Sequence, residues 1–397
     1  MISMTKLLCG DEYFGDTLRY SEDAGCLAPH GVSPGRGPVV VWNCTKTCNL
    51  RCRHCYSNSD NERYSGELTT TEALAFIGQL ADFNVPVLLL SGGEPLMRPD
   101  LEQLIAAAVE LGIRVTLSSN GTLLTPEKAT RLRQLGIGYI GVSLDGIGEN
   151  NDNFRGRKGA YEAALTGIRN CIAVGQRVGL RFTINKYNYQ ELNSIFDLIE
   201  KENIPRICFY HLVYSGRGGA MMEEDLTHEE TRAAVDLIID RTLDFHRRGL
   251  KKEILTVDNH ADGVYVYMKL KETDPDRAEQ VKSLLRSNGG NRTGMAIGAV
   301  DWFGYVHPDQ FTQDISFGNV REKSFGEIWT DGSQPVLAGL KNRKPLLQGR
   351  CAACCWLELC NGNFRARAAA VSGSFWAEDP ACYLTDQEIE AVPSKTI

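Results

Sequence analysis

The chain has 397 residues, of which 43% are hydrophobic and 23% charged, and its formal net charge is −7. This length allows a large core and two domains, and the acidic balance argues against a general nucleic-acid binder. No apolar run reaches the length of a membrane helix or a signal peptide, so we expect a cytoplasmic protein with no membrane partner.

Taken in chain order, the sequence from residue 39 to about 250 predicts six strand–helix units. The predicted strands are nearly continuous apolar runs, which is typical of a parallel sheet covered by helices. The fold class is therefore α/β, either an open doubly wound sheet or a partial (β/α)6 barrel, and periodicity does not choose between them. The predicted strands cover 39–43, 85–91, 113–119, 139–145, 178–185 and 206–214.

Polar and glycine-rich stretches follow most of these strands, among them "SGGEP" at 91–95, "SSNG" at 118–121 and "SLDG" at 143–146. Ligands of parallel α/β folds bind at the carboxyl ends of the strands. We therefore expect these stretches to converge on one site.

The rest of the chain divides around this repeat. Residues 1–38 form an N-terminal segment, and the six units occupy 39–250. Residues 251–292 are charged and less regular, which predicts a connecting region. Residues 293–397 lack the strand–helix repeat and carry a second group of cysteines, so we expect a smaller C-terminal domain there.

The cysteine count of 13 is high, and without an export signal a disulfide framework is not expected. Cys9, Cys171 and Cys208 stand alone and are interpreted as buried thiols. Most of the others form two groups, one at 44–55 and one that begins at 351.

The first group contains C-x3-C-x2-C, formed by Cys48, Cys52 and Cys55. Three thiolates on one loop can face a common centre, and three cysteines suit a 4Fe–4S cluster with one iron left open. Zinc is the alternative, but it normally takes four ligands with pairs of the C-x2-C kind. Cys44, at the end of the apolar strand, is a candidate fourth ligand.

This motif, followed in order by "SGGEP", resembles the radical S-adenosylmethionine (radical SAM) superfamily. The resemblance implies a partial (β/α)6 barrel and a 4Fe–4S cluster on the three cysteines, with SAM bound to the open iron. Gly92, Gly93 and Glu94 resemble the family's GGE motif, which meets the SAM amino group. Glycines let the backbone approach closely, and a glutamate can accept from an ammonium group.

Further positions resemble the SAM contacts of the family. Asn120, Ser143 and Asp145 resemble polar residues of the ribose pocket. Arg155 resembles an arginine that meets the SAM carboxylate, and its alternative interpretation is a solvated surface charge.

The second cysteine group resembles part of the SPASM extension of many radical SAM maturases. Cys351, Cys354, Cys360 and Cys382 match the four ligands of one auxiliary 4Fe–4S cluster, which would be closed and suited to electron transfer or structure. Met295, Gln310 and Phe364 stand where the extension has further cysteines, so the other auxiliary cluster is expected to be lost. Cys355 is left over as a structural thiol, and a four-cysteine zinc site is the alternative.

Three stretches, "GPVVVWN", "HLVYSGRGG" and "VHPDQF", resemble the radical SAM enzymes of haem biosynthesis. The opening, "MISMTKLLCGDEYFGDTLRY", is most similar to the didecarboxysiroheme deacetylases, whose relatives act in haem d1 and haem synthesis. The resemblance implies loss of acetate side chains from an iron tetrapyrrole through a 5′-deoxyadenosyl radical, giving Fe-coproporphyrin. It also implies a low-potential donor such as a ferredoxin or flavodoxin, and anoxic conditions.

Three alternatives stay open: a haem d1 or haem synthase step, a peptide maturase, and a non-catalytic iron–sulfur or zinc protein. The GGE segment argues against the last, because an electron carrier has no need of it. A tetrapyrrole with several carboxylates should meet arginines, and the candidates are Arg36, Arg181 and Arg217. Imidazole suits iron, which makes His211, His260 and His307 candidate ligands. His211 and Arg217 are the predicted catalytic residues.

Overall fold

The computed structural model describes residues 1–20 and 28–390. Two short helices and a two-residue strand precede the repeat: β1 (Ile2–Ser3), α1 (Met4–Cys9) and α2 (Asp16–Arg19). The six predicted strands are all present as β2 (Val39–Thr45), β3 (Val87–Gly92), β4 (Arg114–Ser119), β5 (Tyr139–Ser143), β6 (Val178–Ile184) and β7 (Arg206–His211).

The helices of the repeat follow their strands as expected. They are α3 (Thr70–Asp82), α4 (Leu101–Glu110), α5 (Pro126–Gln134), α6 (Glu149–Arg155), α7 (Ala160–Ala173), α8 (Leu192–Lys201) and α9 (His228–Arg247). The predicted capping box begins α3, where Thr69 accepts from the Glu72 amide and the Glu72 carboxylate accepts from the Thr69 amide. Such reciprocal bonds satisfy two amides that the first helical turn leaves unpaired.

The range 251–292, expected to be an irregular connection, instead holds β8 (Glu253–Val257), α10 (Ala261–Thr273) and α11 (Pro275–Asn288). β8 is a fully buried strand that pairs in parallel with β7. Because β8 has only five residues and begins next to charged residues, the sequence pattern does not predict it as a strand. The partial barrel therefore extends beyond the six predicted units.

The C-terminal region also joins the sheet. β9 (Ile297–Val300) pairs in parallel with β2, and β10 (Val306–His307) pairs antiparallel with β9. The region continues with short helices: α12 (Phe325–Thr330), α13 (Pro335–Lys341), α14 (Gly349–Ala353), α15 (Leu357–Cys360), α16 (Arg365–Ser372) and α17 (Asp386–Ile389). Its lack of a strand–helix repeat agrees with the sequence analysis.

The strands form one ten-stranded sheet in the order β1-β8-β7-β6-β5-β4-β3-β2-β9-β10. β1 pairs antiparallel with β8 at one edge, and β10 forms the other edge. The two edges do not pair with each other, so the sheet is an open, partial barrel, as the family resemblance implied.

The two faces of the sheet have different surroundings. On β2, Val40 and Trp42 belong to the main core, where the Trp42 ring meets Phe76 of α3 at 5.3 Å between centroids. Val39 and Val41 face the other side and line a cavity. Because side chains alternate along a strand and both faces are covered, the strands are apolar almost throughout. None of the described helices is long and apolar enough to cross a bilayer.

Candidate active site

The three cysteines of the C-x3-C-x2-C motif lie together in the loop after β2. Cys48 and Cys52 are buried and Cys55 is half-buried, and they pack around Leu50 and Ala160 in one small cluster. The loop is held by backbone bonds, including Cys48 N to Asp60 O at 2.9 Å. The structure thus brings together the thiols that the motif predicts as cluster ligands.

The surroundings of these thiols fit thiolates that are bound to an iron–sulfur cluster. Burial raises the pKa of the Cys48 thiol to about 12 and also raises the pKa of Cys52, against the opposing effect of Arg155. A bound iron–sulfur cluster replaces the thiol proton and so removes this cost. Arg155 Nη1 lies 3.6 Å from Cys52 Sγ, and Asn120 Nδ2 lies 3.9 Å from Cys48 Sγ, so both thiols have donors beside them.

The glycines of the GGE segment are required by close packing against the cysteine loop. A Cβ at Gly92 would lie 2.4 Å from Thr45 O, and one at Gly93 would lie 2.2 Å from Thr47 O. Gly92 also has a φ of 122°, a backbone conformation that residues other than glycine rarely adopt. The segment bonds to the same loop through Gly93 N to Thr45 O at 2.7 Å and Glu94 N to Thr47 O at 2.9 Å.

Glu94 places a fully buried carboxylate beside this loop. It accepts hydrogen bonds from Ser119 Oγ at 2.9 Å, Asn120 N at 2.7 Å and Leu96 N at 3.1 Å. Burial raises its pKa to about 7, while these hydrogen bonds act in the opposite direction. Ser119 and Asn120 come from the end of β4, so the predicted convergence of strand ends occurs here.

Asp145 and Arg155 form a buried ion pair behind the cysteines. Asp145 also accepts from Thr183 N at 2.8 Å, while Arg155 Nε has no hydrogen-bond partner among the described residues. His54 lies 3.5 Å from the Asp145 carboxylate, and burial lowers its pKa to about 4. Arg155 is therefore not the solvated surface charge of its alternative interpretation.

Arg217 lies against the back of the cysteine loop, which differs from the substrate-pocket position expected for it. Its Nε donates to Cys52 O at 2.8 Å and its Nη2 to Ser59 O at 3.0 Å, while its own amide donates to Cys55 O at 2.9 Å. The guanidinium reaches these backbone carbonyls because Gly216 packs directly on the loop, where a Cβ would lie 2.4 Å from Tyr56 O. Arg217 does not line either large cavity of the described residues.

Two adjoining cavities fill the inner side of the sheet. One has a volume of about 650 Å³, and the other, of about 120 Å³, lies toward the cysteine loop. Ser143 and His211 line the smaller cavity together with His54 and Tyr56. Both cavities share Val41, Leu89, Arg181, Tyr210, Asp258, Gln310 and Phe311.

The walls of the larger cavity combine apolar side chains with many cations. Valine, leucine and aromatic residues of the strands form most of its surface. The cationic side chains are Arg19, Arg114, Arg177, Arg181, Arg206, Lys251 and Arg292. Of the sequence candidates, Arg181 and His260 also line it, whereas Arg36 is exposed and His307 lies outside both cavities.

Gln310 and Phe364 form part of the wall of the larger cavity. These are two of the positions at which the SPASM extension was expected to have cysteines. Phe364 packs on Phe311 with 5.5 Å between ring centroids. The place of the missing ligands is thus occupied by side chains that border the cavity.

His211 has a partner that the sequence did not indicate. Its Nε2 lies 2.9 Å from Asp262 Oδ2, and Tyr383 donates its hydroxyl to Asp262 Oδ1 at 2.8 Å. Asp262 lies on α10, in the range expected to be a connection, so no strand-end or motif argument pointed to it. Tyr383 directly follows Cys382 and so links this network to the second cysteine group.

The second cysteine group also converges. Cys351, Cys354, Cys360 and Cys382 line one small cavity of about 20 Å³. Burial raises the pKa of the Cys382 thiol to about 12. Cys355 is exposed and does not line this cavity; its thiol points to Glu388 O at 3.8 Å. The four predicted ligands are thus separated from the one predicted to be left over.

No group of three or more His, Cys, Asp or Glu side chains in residues 1–20 and 28–390 is arranged to hold a single metal ion. A cluster of several irons is wider than one ion, so its cysteines stand further apart. The donor sets themselves, three thiols beside Arg155 and four thiols around one cavity, fit such clusters.

A buried arginine joins this group to the barrel. Arg367 pairs with Asp379 at 2.8 Å, and both side chains are fully buried. Arg367 also donates to Leu212 O at 3.1 Å and Asp258 O at 2.5 Å, at the ends of β7 and β8. The ion pair therefore fixes the C-terminal cysteines against the carboxyl ends of the strands.

Comparison with known proteins agrees with this geometry. The family model of the radical SAM superfamily matches residues 42–199, and that of the SPASM iron–sulfur cluster-binding domain matches 294–364. Fe-coproporphyrin III synthase of Methanosarcina barkeri is 56% identical over 98% of this chain and 99% of its own length. The chain belongs to the radical SAM superfamily.

Other radical SAM relatives and structures support the same assignment. Pre-heme d1 synthase of Dinoroseobacter shibae is 45% identical over 88% of this chain and 87% of its own length. The structure of Streptococcus suis SuiB bound to S-adenosylmethionine has a TM-score of 0.67 at 17% identity, over 88% of this chain and 78% of that one. Native anSMEcpe with bound AdoMet has a TM-score of 0.66 at 16% identity, over 87% and 94%. The fold is that of these radical SAM enzymes.

Membership in this superfamily means that the protein uses a 4Fe–4S cluster and SAM, and the SPASM match adds auxiliary iron–sulfur binding. The predicted cofactors are thereby confirmed. The cysteines predicted from the motifs to hold the clusters lie close together within each group.

Proposed function

We propose that this radical SAM enzyme removes acetate side chains from didecarboxysiroheme and produces Fe-coproporphyrin III. The observation that carries the proposal is the apolar, cation-lined cavity of about 650 Å³, which adjoins the cysteine loop through a smaller cavity. Identity of 56% with Fe-coproporphyrin III synthase over almost the whole chain supports it.

The cavity suits a flat, apolar macrocycle that carries carboxylates. Its volume lies within the range of roughly 300–1,000 Å³ common for small-molecule sites. Val39, Val41, Val87 and Leu89 supply an apolar wall. Arginines bind carboxylates through pairs of parallel hydrogen bonds, and the cavity contains several of them.

When bound, the open-site cluster and SAM supply a 5′-deoxyadenosyl radical, the cofactor-borne part of the chemistry. The chain positions the reactants. Cys48, Cys52 and Cys55 would hold the cluster, and the Glu94 carboxylate would accept from the SAM ammonium group. The buried Arg155, whose Nε has no hydrogen-bond partner in the part of the chain that the structure describes, would meet the SAM carboxylate.

His211 and Arg217 receive different roles in this proposal. Asp262 fixes the His211 ring, whose other nitrogen is then the one available to the substrate in the smaller cavity. Arg217 acts as a positioning residue, because it binds the carbonyls of the cysteine loop. Cys351, Cys354, Cys360 and Cys382 would hold the auxiliary cluster.

The reaction requires electrons at low potential. We propose a ferredoxin or flavodoxin as their source, in an anoxic cytoplasm. The Cys55 thiol is only half-buried, so a cluster held there would be accessible to oxygen, and we expect activity to be lost in air.

The test is an anaerobic incubation of the cluster-reconstituted protein with SAM, a reductant and didecarboxysiroheme, followed by mass spectrometry. We expect Fe-coproporphyrin III and 5′-deoxyadenosine. If 5′-deoxyadenosine forms while the tetrapyrrole stays intact, the substrate assignment is wrong, and related iron tetrapyrroles are tested next. A protein with its three motif cysteines changed to alanine is the control and should form neither product.

A further inference from the structure

Four basic residues lie at the amino-terminal ends of the strands, away from the cysteine loop. Arg114 and Arg206 are the first residues of β4 and β7, Arg177 directly precedes β6, and Lys251 precedes β8. All four line the larger cavity. Parallel strands begin at one edge of a sheet, so these residues form one group, which we call the basic rim.

Among the residues that the structure describes, most of the basic rim has no carboxylate partner. Arg206 lies 3.4 Å from Glu253, which is also paired with Arg19. Within residues 1–20 and 28–390, Arg114, Arg177 and Lys251 make no ion pair within 4 Å. Arg114 and Arg177 instead stand over the ring of Phe14, at 4.9 and 4.4 Å from its centroid.

This arrangement is unfavourable for the protein by itself. Burial lowers the pKa of the Arg114 guanidinium, and the neighbouring Arg206, Arg19 and Arg177 lower it further. Like charges brought together without partners reduce stability. Sites that cost stability in this way are common where a ligand supplies the missing charge.

An ordinary structural role accounts for only part of the group. Arg177 is exposed, and alone it would be a solvated surface charge. The arginines could also hold the N-terminal segment through Phe14, since a guanidinium over an aromatic ring is attracted to it. Phe14, however, is 60% exposed, so the contact removes little apolar surface from water.

We propose that Arg114 and Arg177, with Lys251, form a carboxylate-binding subsite for the propionate side chains that do not react. This rests on the proposed function, because it assigns one end of the same cavity to one part of the tetrapyrrole. The macrocycle then lies along the apolar wall, and the opposite edge, with the acetates, faces the smaller cavity near the cysteine loop.

The test measures binding rather than turnover. Reconstituted protein without SAM is titrated with Fe-coproporphyrin III and followed by the absorbance of the macrocycle. Arg114→Gln and Arg177→Gln are each expected to weaken binding roughly tenfold, because each substitution removes a charge-assisted hydrogen bond to a carboxylate. The double variant should lose more than either single one. Arg247→Gln, which changes an exposed arginine of α9 outside the cavity, should bind as the wild type does.

The tetramethyl ester of the same iron porphyrin separates carboxylate recognition from apolar contact. It should bind the wild type weakly and the Arg114 and Arg177 variants equally weakly. Thermal unfolding of the ligand-free variants gives a second readout. Melting temperatures equal to or above that of wild type are expected, because the substitutions remove repulsion.

The outcomes distinguish the two proposals. If the wild type does not bind Fe-coproporphyrin III, the proposed function is wrong, and the subsite with it. If the wild type binds but the double variant binds equally well, the subsite alone is overturned. Lowered melting temperatures with unchanged ester discrimination would show that the arginines only hold Phe14, which also overturns it.

Discussion

Glu94 shows how the surroundings of a single residue control its charge. It is completely enclosed, yet three donors from the ends of two strands surround its carboxylate. Burial favours the neutral acid and the donors favour the charged form. The result is a pKa of about 7, which makes its charge depend on pH in the working range.

This predicts that SAM binds more weakly as the pH falls. Below a pKa of about 7 the carboxylate is protonated and no longer attracts the SAM ammonium group, so the dissociation constant should rise by up to about tenfold per pH unit between pH 7 and pH 6. Equilibrium dialysis of SAM against reconstituted protein measures this. Glu94→Gln should bind weakly with little pH dependence, and unchanged cluster absorbance confirms that the cysteine ligands are intact. A parallel pH dependence in both proteins would contradict the assignment.

Arg155 and Asp145 form a second interaction at the residue scale. Both side chains are buried, so replacing one leaves the other as an unpaired buried charge, which costs about 3–5 kcal/mol. Arg155→Met should therefore lower the melting temperature clearly, and adding Asp145→Asn should restore part of the loss. Thermal unfolding of the wild type and of these two variants tests this. Equal melting temperatures of the single and double variants would show that the pair does not stabilise the fold.

At the scale of elements, loops and short helices carry the predicted cluster ligands. Cys48, Cys52 and Cys55 lie in the loop after β2, and three of the C-terminal cysteines lie in or beside the short helices α14 and α15. They are fixed by hydrogen bonds from side chains on other elements, chiefly Arg217 and Arg367. Arg367 and its partner Asp379 are fully buried, so the C-terminal cysteines have a rigid support.

Two cysteines of the C-terminal group allow a matched test of the auxiliary cluster. Cys382 lines the four-thiol cavity, whereas Cys355 is exposed and outside it. Cys382→Ser should lose about half of the bound iron, because a closed 4Fe–4S cluster needs all four thiolates. Cys355→Ser should keep all of it. Iron content per chain and the spectrum of the reduced protein measure both, and equal iron in the two variants would contradict the ligand set.

At the scale of the whole molecule, charge is distributed unevenly. The chain carries a net charge of −7, yet cations predominate around the larger cavity. An anionic tetrapyrrole would be repelled by the molecule as a whole and attracted by the cavity. Charges at close range in a low-dielectric site outweigh distant ones, which salt screens.

Salt should therefore weaken tetrapyrrole binding. Raising the salt concentration from about 50 mM to about 500 mM shortens the screening length and should raise the dissociation constant of Fe-coproporphyrin III several-fold. Absorbance titration at the two salt concentrations measures this, and the tetramethyl ester, which has no carboxylates, should show no such change. Tighter binding at high salt would mean that the overall negative charge dominates instead.

Local patterns in the sequence predicted much of the fold. The six strands, their helices and the capping box at Thr69 follow from apolar runs, periodicity and turn chemistry, which act between near neighbours. The sequence analysis did not predict β8, because a strand of five residues with a charged start resembles a connection. It did not predict β9 either, because the pairing of β9 with β2 joins residues that are far apart in the chain.

The same division holds for the site. The sequence by itself predicted the cysteine ligands and the GGE segment, because their spacing along the chain is the chemical signal. Only the tertiary structure decided that Arg217 supports the cysteine loop, that Asp262 orients His211, and that Arg114 and Arg177 meet at one end of a cavity. These contacts join residues from separate strands and helices, and such distances are set by the packing of the sheet and not by any local pattern.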